Sequence, residues 1–183
     1  ARYYDFSISS LIRFEGAKKS RIGYASEDLI QKELDEIMGG ERSVPEAQVL
    51  ATGPGELTKK YGVKAIFHAA SVRGTIGVGY EPVPDIHRCI TNALCLMDDP
   101  ENNAVGTKLS TILIPLLGIG NVRGDYGPLF ASQVQAALEY LTDNPSSNIE
   151  TVYFLAWSEQ ELALCQSVFR SFDRLGAPVQ TNS

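Results

Sequence analysis

The sequence predicts a single α/β domain in which helices cover both faces of a mixed, largely parallel sheet. From residue 63 onward, apolar strand-like segments alternate with helix-like segments, as in chains whose parallel strands are joined by crossovers. Residues 109–117 are almost wholly apolar, which is typical of a strand buried on both faces. With 183 residues, 44% of them apolar, the chain is sized for one core. We therefore assign residues 1–176 to the domain and residues 177–183 to a C-terminal tail.

Two helices are predicted ahead of the first strand. The first carries apolar residues at helical spacing and ends near Gly16. The second follows Ser26, a residue type that often caps helices, and ends at Gly39 and Gly40.

Four strands are predicted, at residues 48–52, 63–70, 109–117 and 149–157. A loop rich in glycine and proline follows the second strand and leads to a helix capped by Asp85. Another helix follows the third strand, and Ser158 with Glu161 forms a capping box for the last helix. Cys89 and Cys95 lie in the apolar pattern of the helix after Asp85, where we expect both to be small core residues.

Composition and charge exclude several classes of protein. The formal net charge of −6 argues against nucleic-acid binding, which usually requires a basic face. The 3 cysteines show no pairing that would indicate a disulfide scaffold, and the 2 histidines have no zinc-ligand spacing. No apolar run is long enough for a membrane, and the N-terminus has no signal-peptide character. We expect a cytoplasmic protein without a metal and, because Ala1 is not an initiator methionine, further chain or domains upstream.

The turn after the third strand, at residues 118–124, is the clearest candidate for a ligand site. It places Gly118, Gly120 and Gly124 between a buried strand and a helix. Glycine lets backbone N–H groups approach an anion closely, and the N-terminus of the following helix adds a positive dipole end. These features fit a pyrophosphate. A turn that needs glycine only for its geometry has the same pattern, and the spacing does not separate the two interpretations.

A dinucleotide site of the Rossmann type is a weaker alternative. Its G-x-G-x-x-G fingerprint is followed by an acidic residue about 20 positions later. In this chain Gly124 comes one position late, and the next strand ends at Ala156 and Trp157 without a carboxylate.

Four segments, taken in order, resemble the macrodomain family, whose members bind ADP-ribose. Residues 52–57 (TGPGEL) resemble the family's T-x-G-x-x-L stretch, and residues 64–70 (KAIFHAA) resemble its V-I-H-A strand. Residues 112–115 (ILIP), with the glycines after them, resemble its phosphate-loop strand. Residues 152–157 (VYFLAW) resemble a last strand that ends in an aromatic residue. The matching stretch covers about residues 48–169.

This resemblance implies a three-layer α/β/α sandwich with a ligand cleft at the strand ends. It implies that backbone amides of the glycine turn bind the diphosphate and the proximal ribose, and that Trp157 flanks the adenine. The implied ligand-binding residues are Ile22, Gly23, Gly118, Ile119, Gly120, Asn121, Val122, Arg123, Gly124 and Trp157. The leading hypothesis is a domain that senses ADP-ribose or a related nucleotide, with no other cofactor.

Two alternatives remain open. The first is an ADP-ribosyl hydrolase, in which Asp28 or His68 assists a water molecule held by the diphosphate. A structural explanation exists for each residue, because Asp28 stands at a predicted helix start and His68 near a strand end. The second alternative is a structural or interaction module without a ligand.

Overall fold

The computed structural model of the protein describes residues 7–41, 43–75, 79–119 and 126–172. Six helices and eight short strands lie within these ranges, and they confirm a mixed α/β class. The predicted tail at residues 177–183 lies outside them. So do five predicted ligand-binding residues of the glycine turn, namely Gly120, Asn121, Val122, Arg123 and Gly124.

The elements alternate along the chain. The helices are α1 (Ile8–Gly16), α2 (Leu29–Met38), α3 (Leu57–Tyr61), α4 (His87–Met97), α5 (Gly127–Asp143) and α6 (Glu159–Arg170). The strands are β1 (Lys18–Lys19), β2 (Ala25–Glu27), β3 (Val49–Thr52), β4 (Ile66–Ala69), β5 (Val72–Thr75), β6 (Gly79–Pro82), β7 (Thr111–Pro115) and β8 (Thr151–Leu155).

Strand pairing divides the described residues into four two-stranded sheets. The pairs β1–β2, β3–β4 and β5–β6 are antiparallel, so the expected largely parallel sheet is not found among the described residues. The pair β7–β8 is parallel, and α5 is part of the crossover between its strands. The crossover that the sequence predicts between the last two strands is therefore confirmed.

Two predicted helix caps are wrong. Ser26 lies in β2, and α2 is capped instead by Asp28, whose Oδ1 accepts a hydrogen bond from the Gln31 N–H at 3.0 Å. The N-cap position of α4 is occupied by Ile86, which makes no side-chain cap bond, so Asp85 does not cap that helix. Ser26, Glu27 and Asp28 stand side by side before α2, and spacing does not show which of them adopts the cap conformation. At α4 the helix begins one residue later than the sequence indicates.

The predicted glycine-rich loop after the second strand contains a hairpin. Its strands β5 and β6 are antiparallel, with Gly74 opposite Tyr80, and the Arg73 side chain donates to Glu81 at 2.7 Å. Gly74 has φ 147°, and a Cβ atom there would collide with the backbone of β6. Glycine inside this strand therefore allows a close backbone approach, whereas the sequence pattern indicated a loop.

Only one of the two cysteines expected in the α4 core is buried there. Cys89 is 1% exposed, whereas Cys95 is on the surface. The two residues are six positions apart, which at 3.6 residues per turn places them about 240° apart around the helix axis. The expectation for Cys95 is wrong because an apolar residue type alone does not assign a helix face.

Helices cover the β3–β4 pair on both faces. Phe67 and Ala69 of β4 pack against core residues of α4, which include Ile90 and Cys89. Side chains alternate along a strand, so His68 projects from the opposite face. There it lies near α2, whose Glu33 carboxylate accepts the Gly53 N–H at 2.9 Å.

Helices cover the β7–β8 pair on one face. Side chains on that face pack with α4 and α5, and they are Ile112, Ile114, Val152 and Phe154. The other face carries Leu113 and Tyr153, which are paired in register and are 60% and 55% exposed. The expectation that β7 is buried on both faces is therefore wrong, because an apolar run alone does not show that a second layer covers it.

Candidate functional site

The candidate site lies at the carboxyl edge of β7 and β8. These strands are parallel, with Pro115 opposite Leu155, so the turns that follow them leave the sheet at the same edge. The end of β4 is also close, because Ala69 and Leu117 pack against one buried cluster that contains Ile86. The turns after β4, β7 and β8 therefore gather at one edge, where α/β proteins commonly bind ligands.

The turn after β3 lies at the opposite edge. Thr52, the last residue of β3, pairs with Ile66, the first residue of β4. Antiparallel pairing therefore separates the residue 52–57 stretch, which carries part of the macrodomain resemblance, from the turn after β7.

Gly118 occupies a backbone position that requires glycine for two reasons. Its φ of 76° lies in the left-handed region. A Cβ atom there would stand 2.6 Å from Ile86 Cδ1 and 3.0 Å from Pro82 Cβ. The next residue, Ile119, is 7% exposed and packs with Phe130 and Val134. The first two residues of the predicted ligand turn are thus set by the core of the domain.

A buried glutamine that the sequence analysis missed holds the start of this turn. Gln133 of α5 is fully buried, and its Oε1 accepts the Leu117 N–H at 3.2 Å. Its Nε2 donates to the carbonyl oxygens of Leu117 at 3.0 Å and Leu129 at 3.3 Å. The signal that would have revealed it is an amide within an otherwise apolar helical stripe that includes Phe130 and Val134.

Gln133 removes one backbone donor from the candidate site. The Leu117 amide is used within the protein and does not serve an anion. No acceptor among the described residues takes a hydrogen bond from the amides of Gly118 or Ile119. The donors that this part of the turn offers therefore begin at Gly118.

The N-terminus of α5 follows the turn directly. The helix has 17 residues, and its first turn contains no acidic side chain. Tyr126 occupies the N-cap position without a side-chain cap bond. A helix of this length carries a partial positive charge at its N-terminus, and here no carboxylate of the first turn neutralises it.

Trp157 stands at the same edge, just after β8, and its side chain is 63% exposed. Its backbone N–H donates to Glu161 Oε2 at 2.5 Å, while Ser158 Oγ accepts the Glu161 N–H at 3.2 Å. Ser158 and Glu161 therefore cap α6 as predicted, although the glutamate bonds one residue before the cap. These bonds fix the backbone of Trp157 and leave its indole ring available at the surface.

Ile22 and Gly23 lie at the tip of the β1–β2 hairpin, and their hydrogen bonds do not connect them to the edge that carries Gly118. Ile22 is 79% exposed, and the Gly23 N–H donates to the Ser20 carbonyl at 3.0 Å. Ion pairs of this hairpin lead from Glu27 to Lys18 and Lys32. Within the described part of the chain, no hydrogen bond joins the hairpin to Gly118.

Asp28, one of the two catalytic candidates, has structural partners. Its Oδ1 caps α2, and its Oδ2 lies 2.7 Å from Arg13 Nη2 and accepts from Arg13 Nε at 2.8 Å. Oδ1 therefore stabilises the start of α2, and Oδ2 links α1 to α2.

His68, the other candidate, is half-buried and hydrogen-bonded. Its Nε2 lies 2.9 Å from the hydroxyl of Thr52, which is fully buried. Burial lowers the pKa of His68, with a smaller contribution from Arg13 in the same direction, while Glu33 opposes the shift. His68 is on the α2 face of β4, so no contact brings it together with Gly118 or Trp157.

Two shallow grooves of about 430 and 450 Å³ lie elsewhere on the surface. The first lies along α4 and α5 beside Cys95, and the second lies between α1 and α3 beside Lys60. Neither is lined by a predicted site residue. Among the residues that the structure describes, no group of three or more His, Cys, Asp or Glu side chains is placed to hold a metal. None of the described helices combines the length and apolar character needed to cross a membrane.

Comparison with known proteins adds no relative. A scan against protein-family models finds no match, and a search of curated proteins finds none either. The function of this domain is therefore inferred from the geometry of the candidate site and from the sequence resemblance.

Proposed function

We propose that this domain binds ADP-ribose or a related nucleotide through its diphosphate, at the carboxyl edge of β7 and β8. One observation carries the proposal: a turn that requires glycine at residue 118 connects a parallel strand to the N-terminus of a long helix. A turn of this kind offers backbone donors close to the positive end of a helix dipole, which suits an anion.

The diphosphate would be bound by main-chain amides. Gly118 and Ile119 offer the first donors, because the side chain of Ile119 is directed into the core and Gly118 carries none. Residues 120–124 complete the predicted binding turn on the basis of sequence alone. The N-terminus of α5 would add its partial positive charge, so a negatively charged ligand should gain more than a neutral one.

Trp157 would stack on the base. Its ring is largely exposed, and its backbone is fixed by a hydrogen bond to Glu161. Parallel pairing of β7 and β8 places it at the edge that carries Gly118. A base next to the indole would bury both aromatic faces.

We propose a macrodomain-like, three-layer sandwich as the architecture around β3–β4, whereas the described helices cover β7–β8 on one face only. The β3–β4 pair supports it, because α4 lies on one face and α2 on the other. The order of the resembling segments supports it too, since they fall on β3 and its turn, β4, β7 and β8.

The proposal is tested by a thermal-shift screen with ADP-ribose, AMP, NAD and cyclic nucleotides, followed by calorimetry. We expect ADP-ribose to stabilise the protein, by about 2.7 kcal/mol at a ligand concentration 100 times the Kd. Gly120→Glu should abolish this effect, because a carboxylate in the turn repels phosphate. Gly106→Glu is the control: it lies ahead of β7 in open space, and because its φ of 77° strains any side chain there, each variant is compared with its own ligand-free form.

Absence of heat and thermal shift with every nucleotide would overturn the proposal in favour of a module without a ligand. Equal loss of binding in both glycine variants would also contradict it. Release of free ADP-ribose from a modified protein would indicate a hydrolase, and Asp28→Asn and His68→Gln would then be compared.

A further inference from the structure

We propose that Gln133 is a positioning residue of the nucleotide site, which sets the direction of the Gly118 and Ile119 amides toward the diphosphate. This inference rests on the proposed function. It concerns a residue that would not touch the ligand itself and that acts through the backbone of Leu117.

Burial of the Gln133 side chain has a free-energy cost. Its side chain is fully buried on the inward face of α5, between the apolar residues Phe130 and Val134 along the helix. Transfer of an amide from water into such surroundings is unfavourable unless all of its polar atoms are hydrogen-bonded. Three hydrogen bonds satisfy Gln133, and two of them go to the same residue, Leu117.

The Gln133 side chain bonds Leu117 in the way that a peptide group would. A carboxamide offers one acceptor and two donors, which include the donor–acceptor pair of a peptide group. By accepting from the Leu117 N–H and donating to the Leu117 carbonyl, Gln133 bonds both polar groups of one residue, as a neighbouring strand does in an antiparallel ladder. The backbone is thus held two residues beyond the end of β7 at Pro115.

The hydrogen bonds from Gln133 restrict the turn that follows Leu117. Directly after the held residue, Gly118 turns the chain with φ 76°, and Ile119 anchors it again in the core. Because Leu117 and Ile119 are both fixed, the backbone N–H groups of Gly118 and Ile119 have little freedom to rotate. Donors held before a ligand arrives cost less to organise on binding.

The same side chain also connects the turn to the helix. Gln133 Nε2 donates to the carbonyl of Leu129, which lies in the first turn of α5. One amide therefore links the strand end, the glycine turn and the helix N-terminus. The distance and orientation between the N-terminus of α5 and the amides of Gly118 and Ile119 are therefore held constant.

The test compares Gln133→Met with Gln135→Met in the full chain. Methionine has nearly the length of glutamine but makes no hydrogen bonds of this kind. Gln135 is the matched control, because it lies on the exposed side of α5 and bonds only Glu139 among the described side chains, at 2.7 Å. We measure ADP-ribose and adenosine binding by calorimetry, and amide hydrogen exchange at Gly118 and Ile119 by NMR.

Gln133→Met should weaken ADP-ribose binding about tenfold or more, since small displacements of positioned groups have effects of this size. Adenosine binding should change by less than about twofold, because adenosine carries no phosphate for the turn to hold. Exchange at Gly118 and Ile119 should become faster without any ligand present. Gln135→Met should match the wild type in all three measurements.

The outcomes separate this inference from the proposed function. A wild-type protein that binds no nucleotide overturns both. A wild type that binds ADP-ribose, with unchanged affinity and exchange in Gln133→Met, overturns the inference alone. Equal losses for adenosine and ADP-ribose would assign Gln133 a purely structural role and also overturn it. If Gln133→Met does not fold, Gln133→Asn replaces it, since it keeps a neutral amide but is one methylene too short to make the same pair of bonds to Leu117.

Discussion

The β3–β4 and β7–β8 pairs are built from similar strands but are covered differently. α4 and α2 lie on opposite faces of β3–β4, and even its polar residue Thr52 is fully buried. By contrast, α4 and α5 cover one face of β7–β8, and Leu113 is exposed on the other. The two pairs share α4 but do not hydrogen-bond to each other.

This difference separates a structural region from the proposed binding region. Around β3–β4, His68 bonds to Thr52, and Glu33 of α2 bonds to Gly53. Asp28, at the start of α2, pairs with Arg13. At the carboxyl edge of β7–β8, the amides of Gly118 and Ile119 have no acceptor among the described residues, and Trp157 is exposed. The region with satisfied polar groups supports the fold, and the region with unsatisfied ones is where a ligand gains most.

The largest expected effect comes from the contact that holds the helices on β7–β8. Phe130 is fully buried and meets Phe154 and Phe169 edge to face, with ring centroids 5.1 and 5.6 Å apart. Phe130→Ala should lower the free energy of unfolding by about 3–5 kcal/mol, as measured by chemical denaturation. Leu162→Ala is the control, because Leu162 is 49% exposed on α6 and should cost below about 1 kcal/mol. Similar losses in the two variants would contradict the assignment of the covered face.

The second prediction assigns pH sensitivity to β3–β4. Burial lowers the pKa of His68 in the folded protein, so the unfolded chain binds a proton more readily. Stability is then complete above about pH 6.5 and falls as the pH decreases below that value. The slope for this one proton is at most about 1.4 kcal/mol per pH unit.

Denaturation of the wild type, His68→Gln and His87→Gln at pH 7, 6 and 5 measures this effect. His68→Gln should flatten the pH dependence between these values, since glutamine does not titrate but still offers a hydrogen bond to Thr52. His87 is exposed at the start of α4, so His87→Gln should keep the wild-type slope. An unchanged slope in His68→Gln would show that His68 is not the group responsible.

Much of this architecture is predictable from sequence, because apolar segments record burial. The four predicted strands all exist, although each is shorter than its apolar run, since residues such as Leu109 and Leu117 pack in the core beyond the ladder. What composition does not record is the partner of a strand. The antiparallel pairing of β3 with β4, and the hairpin that contains Gly74, depend on hydrogen bonds between segments and carry no periodic signal.

The candidate site is predictable only in part. Gly118 was found because a left-handed turn needs glycine, which is a local property of the chain. Gln133 was missed because its role depends on Leu117, which lies 16 residues away in sequence. Asp28 was proposed as catalytic from the macrodomain resemblance, and sequence could not separate this role from capping because an acidic residue near a helix start has the same pattern in both.

The smallest expected effect tests the open face of β7–β8 directly. Leu113 and Ile114 are neighbours in β7, but Leu113 is 60% exposed and Ile114 is 5% exposed. Leu113→Thr keeps a strand-forming residue and removes only a surface contact with Tyr153, so it should cost below about 1 kcal/mol. Ile114→Thr places a hydroxyl among the side chains of α4 and α5 and should cost about 2–4 kcal/mol.

Chemical denaturation of the two variants at the same pH gives the comparison. A cost for Leu113→Thr as large as that for Ile114→Thr would mean that something covers this face in solution, and the contrast between the two sheets would then be wrong. A small cost would leave Leu113 and Tyr153 as an apolar surface that stabilises nothing within the described residues. In that case the folding free energy of β7–β8 comes from one face alone, and its carboxyl edge is held by α5 rather than by a second layer.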